Sequence, residues 1–514
     1  MQLTSREVRL LNALSELFDL PENSKPWEIL VGLAESRGAA VNNDGTLNAE
    51  PSAKRAKHDA AVTGVRASED STEEMIDDDA EQQQLPPYIP LLLKDARSAN
   101  EVMDGHKLVD AGDHEAFFEW MISPCDSARF FEEVWDDHPM LISRPKNRKF
   151  FQGWFSKDHI DSLLKETKLE YGTNIDVVNY KRGVRSTHNS NKDGSNHIAD
   201  RDSVWDNFDN GDCSLRVLHP QRWVQSVWKL IAMLEKRFQC CVGCNCYLTP
   251  KGSQGFSPHY DDIDAFVLQL EGSKRWRLYK PREPGEHLVR FSSGDFTQEE
   301  VGEPIVDVVL HPGDIMYMPR GCIHQAVSCP DQHSLHITIS AFQRCTWADF
   351  LQVALPGGLE MACEEHISLR GSMPLRYFDH MGAIHSDSDN DFRDQFRAEC
   401  ARQFALVLES IPLDAVADQL AALWMKHRMP PLCTVQAVPS RGYVGLKGSD
   451  RVKMVEDDVA RLVVEGDEVT LYHCVANNAL LHAEWPMGED GVITHFPMVI
   501  SDLTATISSA DLQI

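Results

Sequence analysis

Three side chains in this sequence have the types and the spacing to hold a metal ion. His259 and Asp261 stand two apart in the segment SPHYDDID, just ahead of a β-branched and aromatic run. In a strand, residues i and i+2 point to one face, so a strand start there presents an imidazole and a carboxylate together. His324 comes 65 residues after His259, in a second strand-like run, DIMYMPRGCIHQAVS, past a Pro-Arg-Gly turn. Two histidines and a carboxylate, with no evident fourth protein ligand, match the facial triad that leaves coordination positions open on iron(II). A single histidine in an apolar strand is more often a hydrogen-bonded structural residue. The combination is what points to metal.

The neighbouring polar residues are read as non-ligands. Asp262 should face away from Asp261, and Asp264 should line the mouth of the site or be solvated. His333 and His336 follow the distal histidine closely and take core or loop roles, with His336 possible as a support behind the ligands. Cys240, Cys241, Cys244 and Cys246 include a C-x-x-C spacing compatible with zinc. A structural zinc needs two further ligands, however, and this segment runs straight into a strand whose alternation divides the thiols between faces. They are read as buried thiols, small hydrophobes in effect.

The elements that must position these residues follow from the rest of the chain. Its 514 residues allow about three domains, and its 42% hydrophobic and 25% charged content is that of an ordinary soluble globular protein. No apolar run approaches the ~20 residues of a bilayer crossing, so no membrane association is expected. The N-terminal residues lack the apolar core of a secretory signal. With thirteen irregularly spaced cysteines, that suggests an intracellular chain with reduced thiols. A net charge of −29 argues against coating nucleic acid, which requires Lys and Arg to neutralise phosphates. A basic protein substrate is the more congenial partner.

Residues 4–20 place Val8, Leu11, Leu14, Leu17 and Phe18 near a helical period. Residues 68–81 hold eight acidic side chains, which reads as a disordered linker. Lys54-Arg55-Ala56-Lys57 within the polar stretch is either a nuclear import signal or a solvated patch. Order is expected to resume near Asp113 with two helices, EAFFEWMI and ARFFEEVW, and the first strand to begin at His138. Short β-type runs follow from Ile175 to Leu218, then a helix at RWVQSVWKLIAMLEKRF, then close-set strands from CCVGCNCYLTP to SLHITISAF. Such a succession is what a double-sheet jelly roll needs. After Thr346 three helical stretches carry apolar stripes wide enough for a bundle, a dimer interface or a cap on the β-domain. Residues 431–514 read as a small α+β module. Its five Lys plus Arg against twelve Asp plus Glu speak against direct sequence-specific DNA binding.

The block NCYLTPKGSQGFSPHYDDIDAFVLQLEGSKRWRLY, with GEPIVDVVLHPGDIMYMPRGCIHQA and HSLHITISAFQ, closely resembles the JmjC-type ribosomal oxygenases. The nucleolar type, which combines lysine-specific demethylase and histidyl-hydroxylase activities, is the most similar. FFEEVWDDHPMLISR and the stretch from VWDNF to SLRVLHPQ extend the similarity over roughly residues 110–345. The resemblance implies an α+β chain in four parts: an N-terminal helix plus acidic linker (1–110), a JmjC double-stranded β-helix (111–345), a helical dimerisation region (346–430) and a winged-helix-like domain (431–514).

It further implies an Fe(II) enzyme with 2-oxoglutarate and O2 as cosubstrates. His259, Asp261 and His324 would bind the metal, and Lys274, fifteen residues after His259, would pair with the distal carboxylate of 2-oxoglutarate. The charge logic holds independently, since a buried dicarboxylate needs a cationic partner. Asn245, Tyr247 and Ser340 match positions lining the cosubstrate pocket. Hydroxylation of a histidine in a large-subunit ribosomal protein is the first expectation, because Asp rather than Glu at the second ligand resembles the hydroxylase branch. Demethylation of histone H3 lysines is the second. A homodimer in the nucleus and nucleolus is implied as well. The competing reading is a catalytically silent cupin-fold adaptor for chromatin or ribosome assembly, although such a scaffold would be free to lose one of His259, Asp261, His324 and Lys274.

Overall fold

The computed structural model describes residues 88–388, 390–431, 458–465, 468–474 and 477–482. The expected N-terminal helix, the basic cluster at 54–57, the acidic linker and most of the C-terminal module lie outside these residues. Contacts divide the chain into two units. Of the described residues, one contains 88–346 and those from 418 onward, the other 347–417.

The first unit is built on strands β1 (Leu91–Lys94), β2 (Met140–Ser143), β3 (Ile175–Lys181), β4 (Val184–Thr187), β5 (Ser214–Leu218), β6 (Gly243–Thr249), β7 (Asp264–Gly272), β8 (Lys274–Tyr279), β9 (Val306–Leu310), β10 (Ile315–Met318), β11 (Ile323–Ser328) and β12 (Ser334–Ala341). Nine of them form one sheet in the order β1-β2-β10-β7-β12-β6-β5-β3-β4, and β11-β8-β9 form a second. Every pairing is antiparallel except β1 with β2. Two facing sheets of antiparallel strands with crossovers are the expected jelly roll.

Strand alternation decides which residues face the site. In β7, Phe266 and Leu268 join the larger core with the helices, while Ala265 and Val267 join Trp276, Leu278, Val306 and Leu310 of the small sheet. In β6, Cys244, Cys246 and Leu248 turn into the larger core, which sends Asn245, Tyr247 and Thr249 to the opposite, inner face. The helix Gln225–Phe238 backs this sheet with Val227, Leu230, Ile231 and Leu234 fully buried. Helix His114–Ile122 packs beside it, starting where the Asp113 carboxylate accepts from Ala116 N–H.

Order resumes earlier than the sequence suggests. Tyr88 is already buried, and β1 and a helix at Gly105–Asp110 precede Asp113. A four-residue edge strand carries too little pattern to stand out, and only its parallel partner β2 fixes it. Among the described residues the first strand is therefore β1 and not the one at His138. Near the C-terminus, Ala460–Glu465 and Glu468–His473 form a two-stranded hairpin.

In the second unit, helices Trp347–Glu365 and Asp391–Glu409 pack together. Ala354, Gly358 and Ala362, four apart, are buried. At Gly358 an added Cβ would lie 2.5 Å from the Ile411 side chain, so a small residue there sets the close approach. Trp347, Leu351, Leu355 and Leu359 form a second stripe with the same spacing, and all four are exposed. Among the described residues no helix is long and apolar enough to cross a membrane.

Candidate metal and cosubstrate site

His259 and Asp261 do not sit in a regular strand. They occupy the loop entering β7, and His259 is tied to the start of β11 by an isolated bridge to His324. The two backbones exchange hydrogen bonds, His324 N–H to His259 O at 2.8 Å and His259 N–H to His324 O at 3.2 Å. Pro258 has no N–H to give a ladder, and the polar run that follows has no face to bury. Ladder pairing with both neighbours begins only at Asp264 and Ala265.

The three predicted ligands converge. One donor atom from each of His259, Asp261 and His324 lies within 4.8 Å of the others, and among the described residues this is the one such group of His, Cys, Asp or Glu. Each histidine Nε2 is 3.8 Å from an Asp261 carboxylate oxygen. His259 Nδ1 donates to Ser257 O at 2.8 Å and His324 Nδ1 to Cys322 O at 3.0 Å. With the proton held at Nδ1, each Nε2 lone pair is left to face the carboxylate, as in ligating histidines. Burial, with the His259 charge adding to it, pushes the His324 imidazole down to about 4. It is therefore neutral and able to ligate at physiological pH. A donor set of two imidazoles and one carboxylate fits iron(II).

Lys274 opens β8 on the inner face. It is 5% exposed, and its Nζ donates to Thr249 Oγ1 at 3.1 Å, which also accepts from Ser214 Oγ at 3.2 Å. No carboxylate among the described residues pairs with it, and burial pushes the ammonium down to about 7. A buried cation without a counter-ion is costly unless something anionic joins it. Asn245, Tyr247 and Ser340 line one cavity of about 210 Å³ together with Asp261. Buried Asn245 Oδ1 has no hydrogen-bond partner, an open position a bound polar group could fill.

Sequence reasoning missed several members of this surface. Thr338 and Arg216 line the cavity as well. Arg216 is held by Asp176, Nε to Oδ2 at 3.0 Å. His336 takes a core place and not a loop one: it is buried in β12, with its ring stacked on Tyr247 at 5.0 Å and edge-on to Trp276 at 5.3 Å. Burial and the Lys274 charge hold it well below its ordinary range. Two-residue steps back from Ser340 through Thr338 to His336, and forward from Asn245 through Tyr247 to Thr249, would have found the missed β-strand members. His333, by contrast, is half-buried outside the cavity and pairs with Glu271 at 2.9 Å.

Both neighbouring aspartates differ from expectation. Asp262 lines the same cavity as Asp261, its carboxylate held by Ser292 and Gln343. Without regular strand geometry, alternation does not turn it away. Asp264 is neither solvated nor at the mouth: it is fully buried against Arg320 and Tyr317. The thiols behave as small hydrophobes. Cys240, Cys244 and Cys246 are in the core, while Cys241 reaches the cavity. Cys244 and Cys246, two apart in β6, share the core-facing side, and Cys241 ahead of the strand is divided from them.

Comparisons with known proteins show the family to which the chain belongs. Residues 216–350 match the JmjC domain family. Ribosomal oxygenase 1 of Danio rerio is 40% identical over 382 residues, covering 71% of this chain and 69% of the relative. Bifunctional lysine-specific demethylase and histidyl-hydroxylase NO66 of Branchiostoma floridae is 39% identical over 406 residues, 75% of this chain and 62% of the relative. Ribosomal oxygenase 1 of Homo sapiens is 40% identical, and the chain spans 59% of its length. Among solved structures, the ribosomal oxygenase YcfD of Escherichia coli is 18% identical with a TM-score of 0.38, over 68% of this chain and 84% of YcfD. With two thirds of the zebrafish protein matched at this identity, the chain belongs to the JmjC-domain ribosomal oxygenases.

Proposed function

We propose that this protein is an iron(II)- and 2-oxoglutarate-dependent oxygenase that hydroxylates a histidine side chain of a large-subunit ribosomal protein. The observation that carries the reading is the convergence of His259, Asp261 and His324 within 4.8 Å, both histidines with Nδ1 tied to backbone carbonyls. Bound iron(II), with 2-oxoglutarate and dioxygen, supplies the chemistry that inserts one oxygen into a C–H bond and releases succinate and carbon dioxide.

The chain's own residues then have distinct tasks. Lys274, aimed by Thr249, neutralises the distal carboxylate of 2-oxoglutarate, and Asn245, Tyr247 and Ser340 orient the cosubstrate between β6 and β12. Burial pushes the Tyr247 phenol up to about 12, so it serves as a neutral donor. Asp262 in the cavity lining, together with the net charge of −29, favours a basic segment such as a ribosomal protein offers. Lysine demethylation is a second activity carried by the names of two relatives; on this chain it would require an N-methyl group at the same position, and a histone H3 lysine is the substrate we propose for it. The exposed stripe Trp347, Leu351, Leu355 and Leu359 supports self-association as a homodimer. Nuclear and nucleolar residence rests on the Lys54–Lys57 cluster.

The test is turnover of 2-oxoglutarate coupled to oxygen incorporation into ribosomal proteins. The wild-type chain should require iron(II), and His259→Ala should abolish both while leaving the circular dichroism spectrum unchanged. Wild-type turnover by that variant would refute the site.

A further inference from the structure

Three buried groups outside the metal and cosubstrate contacts join the two segments that supply all three ligands. Asp264 lies three residues after Asp261, and Arg320 lies four residues before His324. Arg320 Nη1 donates to Asp264 Oδ2, and its Nη2 donates to Asp136 Oδ1 at 3.0 Å. Tyr317 completes the frame: its hydroxyl donates to Asp264 Oδ1 at 2.7 Å and accepts from Asp136 N–H at 3.2 Å. Asp264 is 0% and Arg320 6% exposed. The residue after Arg320 adds a backbone tie, since Gly321 N–H donates to Asp261 O at 3.1 Å. Gly321 has φ +86°, and a Cβ there would fall 1.9 Å from Glu286 O. The turn is therefore pinned on both sides.

We propose that Asp264 and Arg320, framed by Tyr317 and Asp136, are positioning residues that set the separation between the His259–Asp261 loop and His324. The inference rests on the metal reading above. A buried ion pair adds little net stability compared with apolar packing of the same volume, yet it fixes direction and distance. Here it spans the gap across which an ion must be shared. Burial raises the Asp264 carboxyl to about 7, and it takes Arg320 and two hydrogen bonds to hold it in place. Supports behind metal ligands commonly change affinity about 10- to 100-fold when removed, and a site left loose by its supporting shell loses function without unfolding.

The experiment is cobalt(II) titration of the metal-free full-length chain with 2-oxoglutarate present, followed by the d–d absorption band at a temperature where each variant is folded. The wild-type chain should take up one ion. Asp264→Asn and Arg320→Gln should bind about tenfold or more weakly with a shifted band, whereas Arg320→Lys should fall between them and wild type. A merely structural role would lower the melting temperature of the metal-free chain and leave affinity and band unchanged. Folded Asp264→Asn and Arg320→Gln proteins with wild-type affinity, within about twofold, and an unshifted band would overturn the inference. Should either variant not fold, Tyr317→Phe removes one hydrogen bond and no charge. It is expected to weaken cobalt(II) binding severalfold, and an unchanged affinity would count equally against the proposal. If the wild-type chain bound no cobalt(II), the metal reading itself would fall, a result distinct from the others.

Discussion

Raising the pH from 6 to 8 should weaken 2-oxoglutarate binding through Lys274. In the empty pocket its ammonium is pushed down to about 7 by burial, against an ordinary lysine near 10.5. Pairing with the distal carboxylate restores the charged form, so its pKa rises on binding and the complex takes up a proton wherever the free lysine has lost one. The protonated fraction of the free chain is about one half at pH 7 and about one tenth at pH 8. The apparent Kd should therefore rise about fivefold from pH 7 to 8 and about tenfold from pH 6 to 8, a loss of about 1.4 kcal/mol. His324, held at about 4, stays neutral throughout and adds nothing to the slope. Isothermal titration with 2-oxoglutarate in two buffers of different ionisation enthalpy should report uptake of ~0.9 proton at pH 8 and near zero at pH 6. A Kd flat over this range with no proton uptake would refute the assignment of Lys274 to the dicarboxylate. The same lysine destabilises the empty fold. A folded pKa below the unfolded one means the unfolded chain binds more protons between pH 7 and 10.5, so this group's contribution to stability rises with pH across that window.

Other outcomes follow from the same contacts. Lys274→Met should abolish 2-oxoglutarate binding yet raise the melting temperature of the cosubstrate-free protein at pH 7, since the desolvation cost removed is on the order of several kcal/mol; a lower melting temperature would contradict this. Thr249→Val, which removes the acceptor 3.1 Å from Lys274 Nζ, should raise the KM for 2-oxoglutarate about fivefold to tenfold with little change in kcat at saturation, measured by succinate release. Phe266→Ala in β7, fully buried against both helices and sheet, should cost about 3–5 kcal/mol in chemical denaturation. Leu351→Glu with Leu355→Glu should shift sedimentation toward monomer while leaving turnover per folded chain measurable, and a dimer unaffected by both charges would place the interface elsewhere.

The sequence carried the chemistry better than the scaffolding. His259, Asp261 and His324 were legible because ligand type and local spacing are written in order along the chain, whereas Asn245 and Tyr247 came only from the family resemblance, and the two-residue step in β6 is what places them on one face. What failed was the local backbone around the ligands. The HYD segment looks like a strand start but is a loop pinned to β11 by one bridge, so the alternation argument misplaced Asp262. Asp264 was misread for a different reason: its partner Arg320 is 56 residues away, and nothing near it in sequence announces an ion pair. β1 shows the same limit in the fold, since four residues acquire their meaning from a parallel partner about fifty residues later.

The most direct test of the whole is incorporation of oxygen from isotopically heavy dioxygen into ribosomal proteins, measured by peptide mass spectrometry alongside succinate release. The label should appear on a histidine side chain in one-to-one proportion with succinate, require iron(II), and vanish in His259→Ala. Heavy oxygen absent from protein with the wild-type chain, or equally present with His259→Ala, would contradict an oxygenase centred on His259, Asp261 and His324.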